Sequence, residues 1–139
     1  MPSTGAERTL VMIKPDAFER KLVEFIRAEI ESTGLEITSI GHVGFTLELV
    51  REFYQWERIK WPETVADYLC RRPIPLWLVT GSNAVARMME IKWRLRRSLC
   101  SGDHRNLLHC SSANEKFLWE YSVLQTSGMI VVCDQESRA

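Results

Sequence analysis

The sequence predicts an α+β domain, an antiparallel sheet with helices packed on it. Three observations carry that reading. Short apolar strands alternate with stretches at helical spacing, in the order β-α-β-α-α-β-α-α-β, with a polar segment before the last helix. The 139 residues carry no internal repeat and no low-complexity linker, so one domain is expected over 1–139, with its core over about 7–134. A content of 45% hydrophobic and 26% charged residues is that of an ordinary globular chain that can bury a core unaided. Four strands separated by helices imply a sheet covered on one face by helices, the split βαβ arrangement.

Each element has its own signal. Thr9 to Lys14 is an apolar strand ending in a charge, and Pro15-Asp16 opens a helix. Leu22, Phe25, Ile26, Glu29 and Ile30 share one stripe of that helix, and Gly34 stops it. Leu35 to about Phe45 is a partly alternating strand. Leu47 to Arg58 returns to helical spacing, and Pro62 suits the first position of a short helix over Glu63 to Cys70. Pro73 and Pro75 bracket the start of the buried strand Leu76–Val79. After Gly81, Ser82 or Asn83 can cap a long basic helix that runs to about Leu99, and Ser101-Gly102-Asp103 is a loop. Ser112 and Glu115 fit a capping box for a helix from Ala113 to about Tyr121. Met129 to Cys133 is the fourth strand.

Charge and cysteine usage narrow the function classes. Eighteen basic and eighteen acidic residues balance, which argues against bulk binding to nucleic acid or to a membrane surface. The first residues contain no apolar stretch of the signal-peptide kind, and the longest apolar runs are far short of a membrane span. Cys70, Cys100, Cys110 and Cys133 show no CxxC spacing and read as free thiols in a reducing cytoplasm.

The chemistry concentrates in Arg105-Asn106-Leu107-Leu108-His109-Cys110-Ser111. A base, an amide, an imidazole and a hydroxyl fall within seven positions. Imidazole can serve as a base or as a nucleophile, and phosphoryl transfer is one reaction that uses it as a nucleophile. His109 lies just before the expected helix, whose N-terminus favours anions. A zinc reading is also open, because Cys100, His104, His109 and Cys110 are all ligand types. Against it, the neighbouring side chains His109 and Cys110 diverge and no paired-cysteine spacing is present.

Two separated motifs, Met12-Ile13-Lys14-Pro15-Asp16 and Arg105-Asn106-x-x-His109-x-Ser111, give the chain its resemblance to the nucleoside diphosphate kinases, over residues 7 to about 121. The resemblance implies a ferredoxin-like βαββαβ core. It also implies transfer of a γ-phosphate from a nucleoside triphosphate to a nucleoside diphosphate by a ping-pong route through a phosphohistidine. Mg²⁺ would be held mainly by the nucleotide's phosphates, with no protein ligands expected. In those terms His109 is the carrier, and Ser111 and Glu120 orient its ring. Lys14 and Asn106 contact the ribose hydroxyl and phosphates, and Tyr54 stands near the transferred group. Trp61 stacks on the base with Val65 one turn on, and Arg105 belongs to the substrate-binding set. Each has a plainer alternative: Glu120 as an exposed helix residue, Trp61 and Tyr54 as core aromatics, Lys14 as a solvated charge.

The chain also departs from the family. The segment between Asn83 and His109 is shorter than usual and lacks a loop that in relatives contacts other subunits. The family's first phosphate-binding arginine falls at Met89 and its threonine partner near Leu95. Ser101-Gly102-Asp103 stands where Arg-Gly-Asp is usual. Met89, Lys92 and Arg96 share one helix face, so Lys92 and Arg96 are the candidates to take over the phosphate grip. Ala17 and Cys110-Ser111-Ser112-Ala113 are further departures. The trimmed loop leads to the expectation of a homodimer or a dimer-based assembly smaller than a hexamer. Two alternatives to a general enzyme stay open: a phosphotransferase for an unusual acceptor, and a nucleotide-binding regulatory module.

Overall fold

The structure is a computed structural model that describes residues 6–54, 62–100, 105–126 and 130–131. It contains strands β1 (Ala6–Ile13), β2 (Glu36–Val43), β3 (Ile74–Ser82), β4 (Leu108–Cys110) and β5 (Ile130–Val131). The helices are α1 (Pro15–Glu19), α2 (Val23–Glu31), α3 (Leu47–Phe53), α4 (Pro62–Leu69), α5 (Ala84–Leu99) and α6 (Asn114–Thr126). All strand pairs are antiparallel, in the order β4-β1-β3-β2-β5. The first four strands in that row form the ferredoxin-like core, β1-α-β2-β3-α5-β4, with α3 and α4 inserted between β2 and β3.

The fourth core strand is therefore not the expected one. Met129–Cys133 was expected to complete the four; within it Ile130–Val131 forms a short outer strand against His42 and Val43. The core position belongs to Leu108–Cys110, which pairs with β1 through Ile13↔Leu108, Met12↔His109 and Val11↔Cys110. Three residues are too few to show the period-2 alternation that identifies a strand. His109 consequently stands inside a strand and not in the approach to a helix.

Helices cover both faces of the sheet, against the expectation of one. Leu10, Met12, Ile74 and Leu76 pack against α3, α4 and α6, including Val50, Phe53, Leu69 and Phe117. The alternate positions Val11, Ile13, Trp77 and Val79 pack against α1, α2 and α5, including Ala17, Ile26, Ile30, Met88 and Ile91. A strand buried on both sides shows a continuous apolar run, which hides the two-sided packing from a pattern search.

Several boundaries have local causes. The expected first helix is two pieces, because Lys21 at φ 58° turns the chain between α1 and α2. Gly34, at φ 91°, follows α2 and donates to the Glu31 carbonyl at 2.9 Å, as a helix-stopping glycine does. Asn83 precedes α5 in a left-handed conformation, but its side chain makes no cap. Glu7 caps α5 from β1 instead, its carboxylate accepting from the Val85 N–H at 3.1 Å. Helix α6 starts at Asn114 and runs to Thr126, farther than the expected Tyr121.

Candidate active site

The β1–β4 register turns His109 to the same face as its partner Met12, toward α3 and α6. There Phe53 and Tyr54 meet the imidazole edge-on, with ring centroids 5.3 and 5.7 Å away. On the other side stands Glu120. Helix α6 buries Phe117, Glu120, Val123 and Leu124 along one stripe, so the carboxylate is carried into an apolar layer. A glutamate on an apolar stripe is a signal the sequence held, and the fully buried carboxylate leaves no room for the exposed-residue alternative.

Three side chains form a chain of hydrogen bonds. His109 Nε2 lies 3.1 Å from both Glu120 carboxylate oxygens. The Ser111 hydroxyl donates to Glu120 Oε1 at 2.6 Å. Burial by itself raises the Glu120 pKa, but the His109 charge and the bonds from His109 and Ser111 outweigh it. The net shift is downward. An ionised Glu120 fixes the tautomer with the proton on Nε2, which leaves the Nδ1 lone pair for chemistry. Cys110, next in sequence, points to the opposite face, and burial pushes its thiol up to about 11.

The turn into β4 is held from several directions. Leu107 is buried at φ 77°, and the Leu108 N–H donates back to the Asn106 carbonyl at 2.9 Å. That is the rarer, strained sense of γ-turn. Asp16, of the Lys-Pro-Asp motif, accepts from the Leu107 N–H at 3.2 and 3.3 Å. Asp16 also accepts from the Tyr68 hydroxyl, and its own N–H donates back to Tyr68 at 3.0 Å. The roles of Asp16, Tyr68 and Phe53 are not legible in the sequence, because each depends on a contact distant in the chain.

Cations gather beside this turn. Lys14 Nζ donates to Asn106 Oδ1 at 2.7 Å. Burial first, and then the Arg96 and Lys92 charges, lower the Lys14 pKa to about 7, against a smaller opposing pull from Asp16 and Cys100. Lys92 is buried on the inner side of α5. Arg96 is partly buried and faces the turn, where it bonds to Asn106 and Leu108. Three positive groups with one opposing carboxylate nearby suit an anionic ligand.

A protein-family model described as nucleoside diphosphate kinase matches residues 7–128. The chain belongs to the nucleoside diphosphate kinase family. It is a nucleoside diphosphate kinase-like phosphotransferase acting on nucleotides. It is 31% identical over 136 residues to the nucleoside diphosphate kinase of Hyperthermus butylicus, covering 90% of this chain and 96% of the relative. The Picrophilus torridus enzyme is 29% identical over 128 residues, covering 84% of this chain and 93% of the relative. The solved structure of the Aquifex aeolicus nucleoside diphosphate kinase shares the fold with a TM-score of 0.72. It is 24% identical and covers 91% of this chain and 99% of that one.

The remaining kinase-family positions are placed as follows. Val65 lies half-buried on α4, packed against the core that includes Phe53. Trp61, its expected base-stacking partner, lies outside the described residues, as do Ser101-Gly102-Asp103 and His104. Arg105 is exposed. With Asp16, Glu19, Arg20 and Ser98 to Cys100 it lines a cleft of about 520 Å³ that does not include His109. Met89 is occupied with sulfur contact, accepting from the Cys110 thiol at 3.8 Å, and Leu95 is core. Among the described residues no group of three or more His, Cys, Asp or Glu could hold a metal ion. Nucleotide kinases of this family generally need a divalent cation. No helix among the described residues is long and apolar enough to cross a membrane.

Proposed function

We propose that the protein transfers the γ-phosphate of a nucleoside triphosphate to a nucleoside diphosphate in two half-reactions, with His109 as the carrier. One observation carries the reading: a buried carboxylate, itself held by Ser111, ties down Nε2 of His109 and leaves Nδ1 open. In the first half-reaction Nδ1 forms a bond to the γ-phosphorus as the bond to the β–γ bridging oxygen breaks. The nucleoside diphosphate leaves with that electron pair. Glu120 stabilises the positive charge that develops on the ring. In the second half-reaction a terminal phosphate oxygen of another nucleoside diphosphate attacks the same phosphorus, and the P–N bond breaks.

Lys14 and Asn106 contact the ribose hydroxyl and the phosphates, Lys92 adds to the neutralisation of phosphate charge, and Tyr54 stands near the transferred group. Val65, Trp61 and Arg105 belong to the substrate-binding set, with Trp61 stacking on the base. A stacked base is gripped whatever its identity, which suits broad acceptor use. Mg²⁺ bound to the phosphates supplies further charge neutralisation. The setting is the cytoplasm, and the working unit a dimer or a dimer-based assembly.

The test is incubation with γ-labelled ATP and Mg²⁺. An acid-labile, base-stable phosphoenzyme, discharged by a nucleoside diphosphate, is the expected result. No label on the wild type, or equal label on His109→Ala, would end the reading.

A further inference from the structure

We propose that Arg96 is a positioning residue for phosphoryl transfer, pinning the Asn106 and Leu108 carbonyls on either side of Leu107 and so holding His109 and the Asn106 amide in register. The inference rests on His109 being the phosphate carrier, and it concerns what keeps that histidine in place. Strand β4 has three residues and, among the described residues, lies at the edge of the sheet with the β1 ladder as its backbone partner there. The turn that delivers it is strained at Leu107, and such a conformation persists only where its surroundings over-determine it.

Besides the Leu108 N–H, which closes the turn onto the Asn106 carbonyl, four backbone groups of the turn are held by other elements. The Leu107 N–H goes to Asp16, and the Leu107 carbonyl accepts from the Lys14 N–H at 2.9 Å. The other two carbonyls belong to Arg96. Its Nε donates to the Asn106 carbonyl at 3.1 Å and its Nη2 to the Leu108 carbonyl at 2.5 Å. The same Nη2 reaches Asn106 Oδ1 at 3.2 Å, the atom that also accepts from Lys14. One planar fork thus spans the residues immediately before His109. Helix α5 packs on β1 and β4 and carries Ile91 and Leu95 into the core, which makes Arg96 a rigid support.

This use of the side chain differs from a phosphate clamp in a way that can be measured. A clamp works through charge and contact with the nucleotide, and lysine can do part of that work. A brace works through the planar fork, which lysine lacks. The geometry of a reacting group matters steeply, since a displacement of about 1 Å costs on the order of 100-fold in rate.

The experiment compares wild type, Arg96→Lys and Arg96→Ala as full chains. It reads amide hydrogen exchange at Leu107, Leu108 and His109, the rate of phosphoenzyme formation from γ-labelled ATP, and the dissociation constant for ADP. Both variants are expected to exchange these amides at least about tenfold faster. Both should form phosphoenzyme roughly 30- to 100-fold more slowly, with ADP affinity changed less than about threefold. If Arg96→Ala does not fold, Arg96→Lys decides alone. A lysine variant that transfers at close to the wild-type rate, unchanged exchange, or a loss of affinity matching the loss of rate would each overturn the brace. Absence of label on the wild type would overturn the carrier reading, and the exchange arm would still decide whether Arg96 holds the turn.

Discussion

Glu120 and Lys14 are both buried ionisable groups, and their environments push them in opposite functional directions. Glu120 is kept ionised by its partners, so Glu120→Gln keeps the shape and removes the charge that steadies the ring. The expected cost is on the order of 100-fold in phosphoenzyme formation, with nucleotide affinity little changed. Stopped single-turnover labelling reads it. Because the folded pKa of Glu120 is lowered, its contribution to stability is present above the unfolded carboxylate value. It fades as pH falls through the lower folded value. Lys14 runs the other way. Burial first, then Arg96 and Lys92, lower it to about 7, with Asp16 and Cys100 opposing. The free protein therefore loses this charge as pH rises through about 7, while bound phosphate restores it. Folding stability should rise across the window from about 7 to the unfolded lysine value of 10.5, since only the unfolded chain stays protonated there. Nucleotide binding should take up a proton above pH 7 and weaken by up to about tenfold per pH unit there. Calorimetric titration in buffers of different ionisation enthalpy measures that uptake; none at pH 8 would sink it. The residues of the two motifs were legible because their types and spacing are unusual together. Asp16 and Tyr68 were not given roles, because a hydrogen bond across 52 positions leaves no local pattern.

At the scale of elements, legibility followed length. The long helix α5 shows its periodicity over many residues, and the strands β1 and β3 show continuous apolar runs bounded by charge, proline or glycine. Strand β4 has no such signal, because three residues carry no period and are fixed by the register with β1. Caps showed a related limit. Asn83 stands where a helix cap belongs, yet the bond comes from Glu7 on a different element. Glu7→Ala should therefore destabilise the fold by about 0.5–2 kcal/mol, as the loss of a helix cap does. Urea unfolding measures it, with the midpoint lowered and the slope unchanged. An unaltered midpoint would mean that the Val85 N–H is equally well served by water. Tyr68→Phe tests the link between α4 and the turn. It leaves Asp16 short of a donor in a buried site, which costs about 1–3 kcal/mol by the same measurement.

The whole molecule presents one sheet covered on both faces, so its open boundaries are its edges. Strand β4 closes one edge with the candidate active site. At the other edge, among the described residues, β5 meets β2 only at His42 and Val43, which leaves the outer side of residues 36–41 without a strand partner. Ile37 and Ile40 on that stretch are half-buried, and Phe25 on the neighbouring α2 is 46% exposed. An unpaired strand edge flanked by apolar side chains is a template for a second chain, and two identical edges satisfy each other across a two-fold axis. The expected assembly is thus a dimer formed through β2 and α2. Phe25→Glu places a charge at that seam while leaving the core untouched. It should weaken the dimer at least about tenfold, roughly 1.4 kcal/mol or more. Sedimentation equilibrium across a concentration series reads both points. A hexameric mass for the wild type would contradict the dimer, and an unchanged dissociation constant for Phe25→Glu would move the interface away from α2.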